Sequence, residues 1–423
     1  MAFSLIIGRW NFFNDQHISR YWFVVVFALK VIVSVLLTSL YTNYYANRET
    51  ADIFKYFDDS KVMFDAFKTH PVDYFKMLLG LDNEYCDTTY YVSMFHWTRP
   101  YTSDLFSDTH IIIRFNAFVR LFSLGYFHVH NVFMNFVSLI GLTFVFKAFK
   151  PLLQQKEKLL FYVVFLIPSV LFWGSGLLKE GIIFFALGVF FYALFHLLKQ
   201  FKLLYLIMLL VSVVLLLFTK FYLLVTLTIP VLGVVLFHLV RLKKPIYIYL
   251  ASSIVLLLIV NVLPYIDSRL DIVFQIANKQ QTFSRFIAVM PATSSFIIPE
   301  LSDGFSIIKN IPNALLNTFI RPYYWECNSL FVLLSAIENT IMLVCVFIAI
   351  RYRKKLDSFS QNIIYFNLTF VCCLFILIGL TTPVFGAIMR YKTPGVLLLL
   401  IALLMLLDIQ KIKNNFPLLN KIL

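Results

Sequence analysis

Long apolar runs alternate along the chain with short basic loops, and two long polar stretches break that rhythm. An apolar run of about 18 residues or more is long enough to cross a bilayer as a helix. The pattern predicts about ten spans, at 21–41, 131–146, 159–174, 177–198, 203–218, 221–240, 246–263, 331–350, 363–380 and 394–408. The polar stretches are 42–110 and 264–330. Between the first of them and the second span, 111–125 (IIIRFNAFVRLFSLG) carries apolar residues at helical spacing, interrupted by Arg114 and Arg120. That piece predicts an interfacial helix or the approach to the second span. No internal repeat or low-complexity linker divides 1–423, which reads as a single all-α, polytopic membrane domain.

The most irregular apolar stretch is 167–181, IPSVLFWGSGLLKEG. A span carrying Pro168 ends at Trp173, breaks at Gly174-Ser175-Gly176, and is followed by a span that opens on Lys179-Glu180. Interrupted helix ends are tolerated inside a membrane protein only where protein or water satisfies the freed backbone. A lysine in the first turn of a helix also opposes the helix dipole, which favours anions there. Two readings stay open: an anionic ligand group that repays the charge, or a Lys179–Glu180 pair that anchors the span at the membrane edge. Lys30, near the middle of the first span, must snorkel or face a polar interior.

Only 14% of residues are charged, against about a quarter in soluble domains. The net charge of +14 sits in short loops on alternate sides of the spans. It is therefore explained by the positive-inside bias, without nucleic acid. Lys147, Lys150, Lys156 and Lys158, then Lys199 and Lys202, Arg241, Lys243 and Lys244, Arg351, Arg353, Lys354 and Lys355, and Lys411, Lys413 and Lys421 mark the cytoplasmic side. Both termini then face the cytoplasm, and 42–110 and 264–330 become outer loops. The first 20 residues lack a cleavable signal pattern, so the first span reads as an uncleaved anchor. Cys86 and Cys327 both fall in outer segments, where an oxidising compartment allows a disulfide.

Four clusters on the outer side hold polar residues that hydrophobicity does not explain. The stretch 42–110 contains half of the acidic residues: Glu49, Asp52, Asp58, Asp59, Asp65, Asp73, Asp82, Glu84, Asp87, Asp104 and Asp108. Within it, Asp52, Asp58 and Asp59 can serve as a general base. The adjacent Asp58 and Asp59 can alternatively ligate a divalent cation, Mg or Mn. Lys179 and Glu180 form the second cluster. Arg321-Pro-Tyr-Tyr-Trp325-Glu326 forms the third, where the planar fork of arginine suits a phosphate and an aromatic ring suits a sugar. Arg390-Tyr391-Lys392 forms the fourth, two cations placed against the positive-inside bias. Glu338, inside a span, is a partner for one of these cations or for Lys30. Each cluster also has a plain structural reading: solvated loop, aromatic belt or lipid-headgroup contact. Gly-rich phosphate loops, HExxH and GxSxG are absent from the chain.

In this order and at these topological places, the four clusters resemble the GT-C superfamily of integral-membrane glycosyltransferases. The resemblance implies inverting transfer of a sugar from a polyprenyl-phosphate donor to a saccharide or lipid acceptor of the cell envelope, on the outer face of the cytoplasmic membrane. It further implies that Asp52, Asp58 or Asp59 acts as base or metal ligand. Lys179, Arg321, Arg390 and Lys392 would neutralise the lipid phosphate, with Glu180, Trp325, Glu326 and Tyr391 beside them. The chain departs from the family in having fewer spans than many members and an acidic pair farther from its first span. A repeat-unit polymerase of the O-antigen or exopolysaccharide type, and a transporter or flippase for a lipid-linked saccharide, are the alternatives.

Overall fold

The computed structural model describes residues 1–44, 48, 51–81, 84–97, 107–240, 244–267, 271–289 and 294–415. Glu49, Asp82 and Asp104 of the acidic stretch, and Arg241, Lys243 and Lys421 of the basic loops, lie outside the described residues, as does the side chain of Glu84. In chain order the α-helices are α1 (Ala2–Arg9), α2 (Arg20–Tyr44), α3 (Asp52–Thr69), α4 (Pro71–Leu79), α5 (Glu84–Thr89), α6 (His110–Ser123), α7 (Phe127–Phe149), α8 (Glu157–Phe165), α9 (Pro168–Trp173) and α10 (Lys179–Lys199). They continue as α11 (Leu203–Val240), α12 (Ile246–Ile266), α13 (Ile272–Val289), α14 (Gly304–Phe319), α15 (Leu330–Arg351), α16 (Ser358–Thr381), α17 (Phe385–Tyr391), α18 (Thr393–Leu406) and α19 (Ile409–Asn415). Among the described residues the only β pairing is two isolated bridges, Ser295 with Val384 and Arg353 with Leu407. The protein is an all-α, polytopic membrane protein.

Among the described residues, seven helices are long and apolar enough to span a bilayer, namely α2, α7, α10, α11, α12, α15 and α16. The pair α17 and α18, bent by 53°, makes an eighth if counted as one span. Two of the expected spans account for the difference from about ten. The stretch 203–240, counted above as the single helix α11, is two helices joined across a kink at Lys220 (φ −152, ψ 82), the place where two spans are expected to meet. The expected span at 159–174 is cut into α8 and α9 at Pro168, whose missing N–H suits the first turn of a new helix. The long polar stretches are helical too: α3, α4 and α5 occupy the first, α13 and α14 the second. Piece 111–125 becomes α6, separate from α7.

The chain divides into two compact units, 1–151 with 164–224, and 152–163 with 225–423, and α8 and α11 pass from one to the other. In the first unit α7 and α10 run along each other, α2 packs on α7 and α9, and α6 joins α3 and α4 to α7. Its core continues from the spans into the polar stretch: Met134 and Ile182 belong to the same buried cluster as Tyr56, Met63, Tyr74 and Trp97. In the second unit α16 is central, contacting α12, α13, α14 and α18, and α15 packs on α17 and α18. Helix ends here are capped by side chains: Asp303 and Ser306 form a capping box on α14, and Ser329 and Asp357 cap α15 and α16.

The α7–α10 seam depends on two glycines. A Cβ on Gly188 would lie 2.0 Å from the Gly141 carbonyl oxygen, and one on Gly141 would lie 2.3 Å from Phe185 Cα. Close backbone approach through small residues is the usual way spans gain packing contact in lipid. Gly188→Ala should therefore cost ~2–3 kcal/mol, because the obstacle is backbone and cannot swing aside. Gly8→Ala, in helix α1 with nothing within 4 Å of its Cβ, should cost nothing and add up to ~1 kcal/mol. Thermal unfolding of the two variants in one detergent checks this.

Candidate functional site

The first cluster of charge is built on the break before α10. Gly176 takes a left-handed conformation (φ +85) that L side chains rarely adopt, and Leu178 is extended, so α10 begins at Lys179. Three contacts hold the break. Lys30, wholly buried in α2, donates from Nζ to the Gly174 carbonyl at 2.7 Å. Asn135 of α7 accepts from the Gly176 N–H at 3.1 Å and donates to the Lys30 carbonyl at 3.3 Å. The intramembrane lysine expected to need a polar interior thus satisfies a carbonyl that the break sets free.

Lys179 emerges from this turn 3% exposed. Its Nζ lies 2.9 Å from Asp108 Oδ2, and Lys220 Nζ lies 3.5 Å from the same oxygen. Lys220 is the residue at which α11 departs from helical geometry. The Lys179 ammonium also sits 4.8 Å from the centre of the Tyr56 ring, and Lys55, paired with Asp52, lies 5.0 Å from it. Cation–π contact of this kind gains strength where the cation is desolvated. The structure therefore joins Asp52 and Lys179, far apart in sequence, through Lys55 and Tyr56. Glu180 is buried in the first turn of α10.

Asp58 and Asp59, adjacent on α3, face different partners. Asp58 takes both donors of Arg48, at 2.8 and 2.9 Å, near the surface. Asp59 is buried and accepts from the amides of Phe95 (3.2 Å) and His96 (2.9 Å). Its Oδ2 also lies 3.5 Å from His96 Nδ1. Consecutive helix positions are about 100° apart, so two carboxylates there do not converge. The pair as arranged does not fit a divalent cation, since its oxygens already serve a guanidinium and two amides. Among the described residues no three His, Cys, Asp or Glu side chains gather for one. Arg120 anchors the same helix, donating to Ser60 Oγ (2.8 Å) and the Phe57 carbonyl (2.6 Å) with its guanidinium over the Phe57 ring. Burial pushes its pKa down to about 10, against Asp58 and Asp65, which leaves it charged at neutral pH.

The other two clusters belong to the second unit. Arg321 makes a forked pair with Glu326, donates to Asn317 Oδ1 at 3.1 Å, and lies 4.3 Å from the Phe296 and 5.3 Å from the Phe385 ring centre. Trp325 stacks on Tyr323 (4.7 Å, 17°) and is 82% exposed. Lys392 donates to the Thr318 carbonyl (3.0 Å) and Asn339 Oδ1 (2.6 Å), and Asn339 donates to the Arg321 carbonyl (2.8 Å). Arg321, Glu326, Trp325 and Lys392 are thus brought together, with Glu338 close enough to act on the Lys392 charge. Arg390 is buried on α17 and Tyr391 is the last residue of that helix. Cys86 and Cys327 are free thiols rather than a disulfide: Cys86 is buried in the core of the first unit, and Cys327 donates to the Tyr323 carbonyl in the second.

Sequence reasoning missed Lys220, the pairing role of Asp108, His96 and Asn135. Lys220, between two apolar runs, was read as the turn where α11 kinks, and its pairing with Asp108 carries no local signal. His96 carries no local motif. No family model matches the chain, and no curated protein or solved structure matches it.

Burial alone would raise the Glu326 carboxyl, but the hydrogen bonds from Arg321 and the Tyr323 amide, with the Arg321 charge, hold it below its ordinary value. A depressed carboxyl contributes stability that is present above its unfolded pKa of about 4.3 and lost as pH falls through its folded value. The wild-type protein should lose more thermal stability than Glu326→Gln between about pH 5 and about pH 3. Parallel melting curves in detergent read the difference; identical curves would show that the pair contributes nothing.

Proposed function

We infer that the chain transfers a sugar from a polyprenyl-phosphate donor to a saccharide or lipid acceptor of the cell envelope, with the reacting groups at the outer face of the cytoplasmic membrane. The observation that carries this reading is the grouping of Lys179, Lys220 and Asp108 at the start of α10. Two ammonium groups on one carboxylate, beside the N–H groups of a 21-residue helix, make a site that a phosphate can enter by taking the place of the carboxylate. Asp108 has 27% of its side chain exposed, so it can yield that place to a lipid phosphate without leaving a buried charge unsolvated.

Roles follow from placement. Lys179 and Lys220 hold the phosphate and stabilise it as it leaves with the bonding electrons. Tyr56 and Lys55 with Asp52 form the adjoining wall. Taken by itself, the second unit offers the exposed face of Trp325 stacked on Tyr323, which suits the apolar face of a sugar ring, with the Arg321–Glu326 pair beside Tyr323. A polymerase would use the same cations on a diphosphate-linked saccharide, and a flippase would bind such a lipid without cleaving it.

Purified protein given radiolabelled polyprenyl-phosphate hexoses, with and without Mg or Mn, separates these readings. Release of free polyprenyl phosphate is expected, and Lys179→Met should weaken donor binding ~10- to 100-fold, as loss of a hydrogen bond to a charged group does. Chain growth from a diphosphate-linked repeat would instead promote the polymerase. Donor affinity that ignores Lys179→Met would remove the phosphate from this site.

A further inference from the structure

The transferase reading needs a group that takes the proton from the attacking acceptor hydroxyl, and none of Asp52, Asp58 and Asp59 is arranged for it. Asp58 is locked to Arg48, Asp52 is paired with Lys55, and Asp59 is buried with both oxygens on backbone amides. Asp59 does, however, have a second neighbour. His96 turns its Nδ1 toward Asp59 Oδ2 at 3.5 Å, and that nitrogen is buried without a closer partner among the described residues. The side chain as a whole keeps 23% of its surface accessible while Nδ1 is buried.

We propose that His96 is the general base of the transfer and that Asp59 is its positioning residue. A buried carboxylate facing Nδ1 favours the tautomer with the proton on that nitrogen and leaves Nε2 as a lone-pair acceptor. The same carboxylate stabilises the imidazolium once the ring has taken a proton. A separation of 3.5 Å is longer than a hydrogen bond, and catalytic contacts of this kind tighten in the reacting complex. The surroundings place the ring where the chemistry requires it. Its edge meets the Tyr56 ring (6.5 Å between centres, 82°), and the other contacts of Tyr56 include the Lys179 ammonium. The segment bearing His96 is fixed on both sides: Asp59 holds its amides, and Trp97 stacks between Tyr91 (3.9 Å) and His110 (3.8 Å).

The step balances as follows. As the acceptor oxygen bonds to the anomeric carbon, its proton passes to His96 Nε2, and the bond from that carbon to the lipid-phosphate oxygen breaks with its electron pair going to the phosphate. The products are the glycoside, polyprenyl phosphate held by Lys179 and Lys220, and an imidazolium facing Asp59. The proton returns to solvent and the imidazole is restored.

This inference rests on the transferase reading, and the test keeps the two apart. The full-length protein is assayed with synthetic short-chain polyprenyl-phosphate hexoses, with donor binding and polyprenyl-phosphate release measured separately. His96→Gln should slow release ~100-fold or more, the usual worth of a general base, while donor affinity stays within about twofold. Millimolar imidazole should restore part of the rate to His96→Ala, which a merely structural histidine would not allow. Asp59→Asn keeps an acceptor for one of the two amides and turns an NH2 to the other, so the amount of folded protein is measured beside its release rate, which should fall per folded molecule. Release by His96→Gln within about threefold of wild type, or His96→Ala indifferent to imidazole, overturns the proposal and leaves the transferase standing. No release by the wild-type protein from any donor overturns the transferase and this base with it.

Discussion

An ammonium group buried in an apolar span is tolerable only where something accepts its hydrogen bonds, and in this protein that acceptor is a carbonyl released by a broken helix. Lys30 of α2 and the Gly174 carbonyl each resolve the other's problem. Removing either partner would leave a polar group stranded in a dry interior, which is the expensive half of the asymmetry in hydrogen-bond energetics. Much of the first unit follows from that bond. It fixes the turn through Gly176, the turn fixes where α10 starts, and the start of α10 sets Lys179 against Asp108. Asn135 ties the same turn to α7, and the close backbone contact at Gly141 and Gly188 keeps α7 and α10 in one register.

The polar stretch after α2 is held by the same economy of charge. Buried Arg120 spends its hydrogen bonds on α3, at the Phe57 carbonyl and Ser60 Oγ, and buried Asp59 accepts from the amides of segment 95–96. Charges used in this way are scaffold first. Asp59 then serves chemistry through the imidazole it faces, whereas Asp58, turned by one helix position to Arg48, does not share that work.

How much of this the sequence disclosed depends on the range of each interaction. The all-α membrane fold was legible because span length and hydropathy are local properties. So was the irregularity at 167–181, since proline and glycine act on their own backbone. The break of α11 at Lys220 was legible too, as the meeting of two apolar runs, but the ion pair that Lys220 makes with a carboxylate more than a hundred residues earlier was not. The acidic pair was legible as composition, and the separate partners of its two members were not, because adjacency on a helix separates side chains rather than joining them. His96 was invisible, as its meaning comes wholly from a buried aspartate 37 residues away. The grouping of Arg321, Asn339 and Lys392 was half legible: both cations were suspected, and the asparagine that links them was not.

The two charge clusters differ in a way that decides which one suits an anion. Arg321 has its fork closed on Glu326 and its faces set against Phe296 and Phe385, so an incoming phosphate would have to break a two-point pair and gain no better geometry. Lys179 and Lys220 instead meet Asp108 as point charges on a single oxygen, with that carboxylate partly open to solvent. Exchanging the carboxylate for a phosphate there keeps both ammonium groups paired throughout, and the displaced Asp108 can be hydrated. Of the two clusters, the first has the lower barrier to exchange, and the imidazole of His96 stands one aromatic ring away from it.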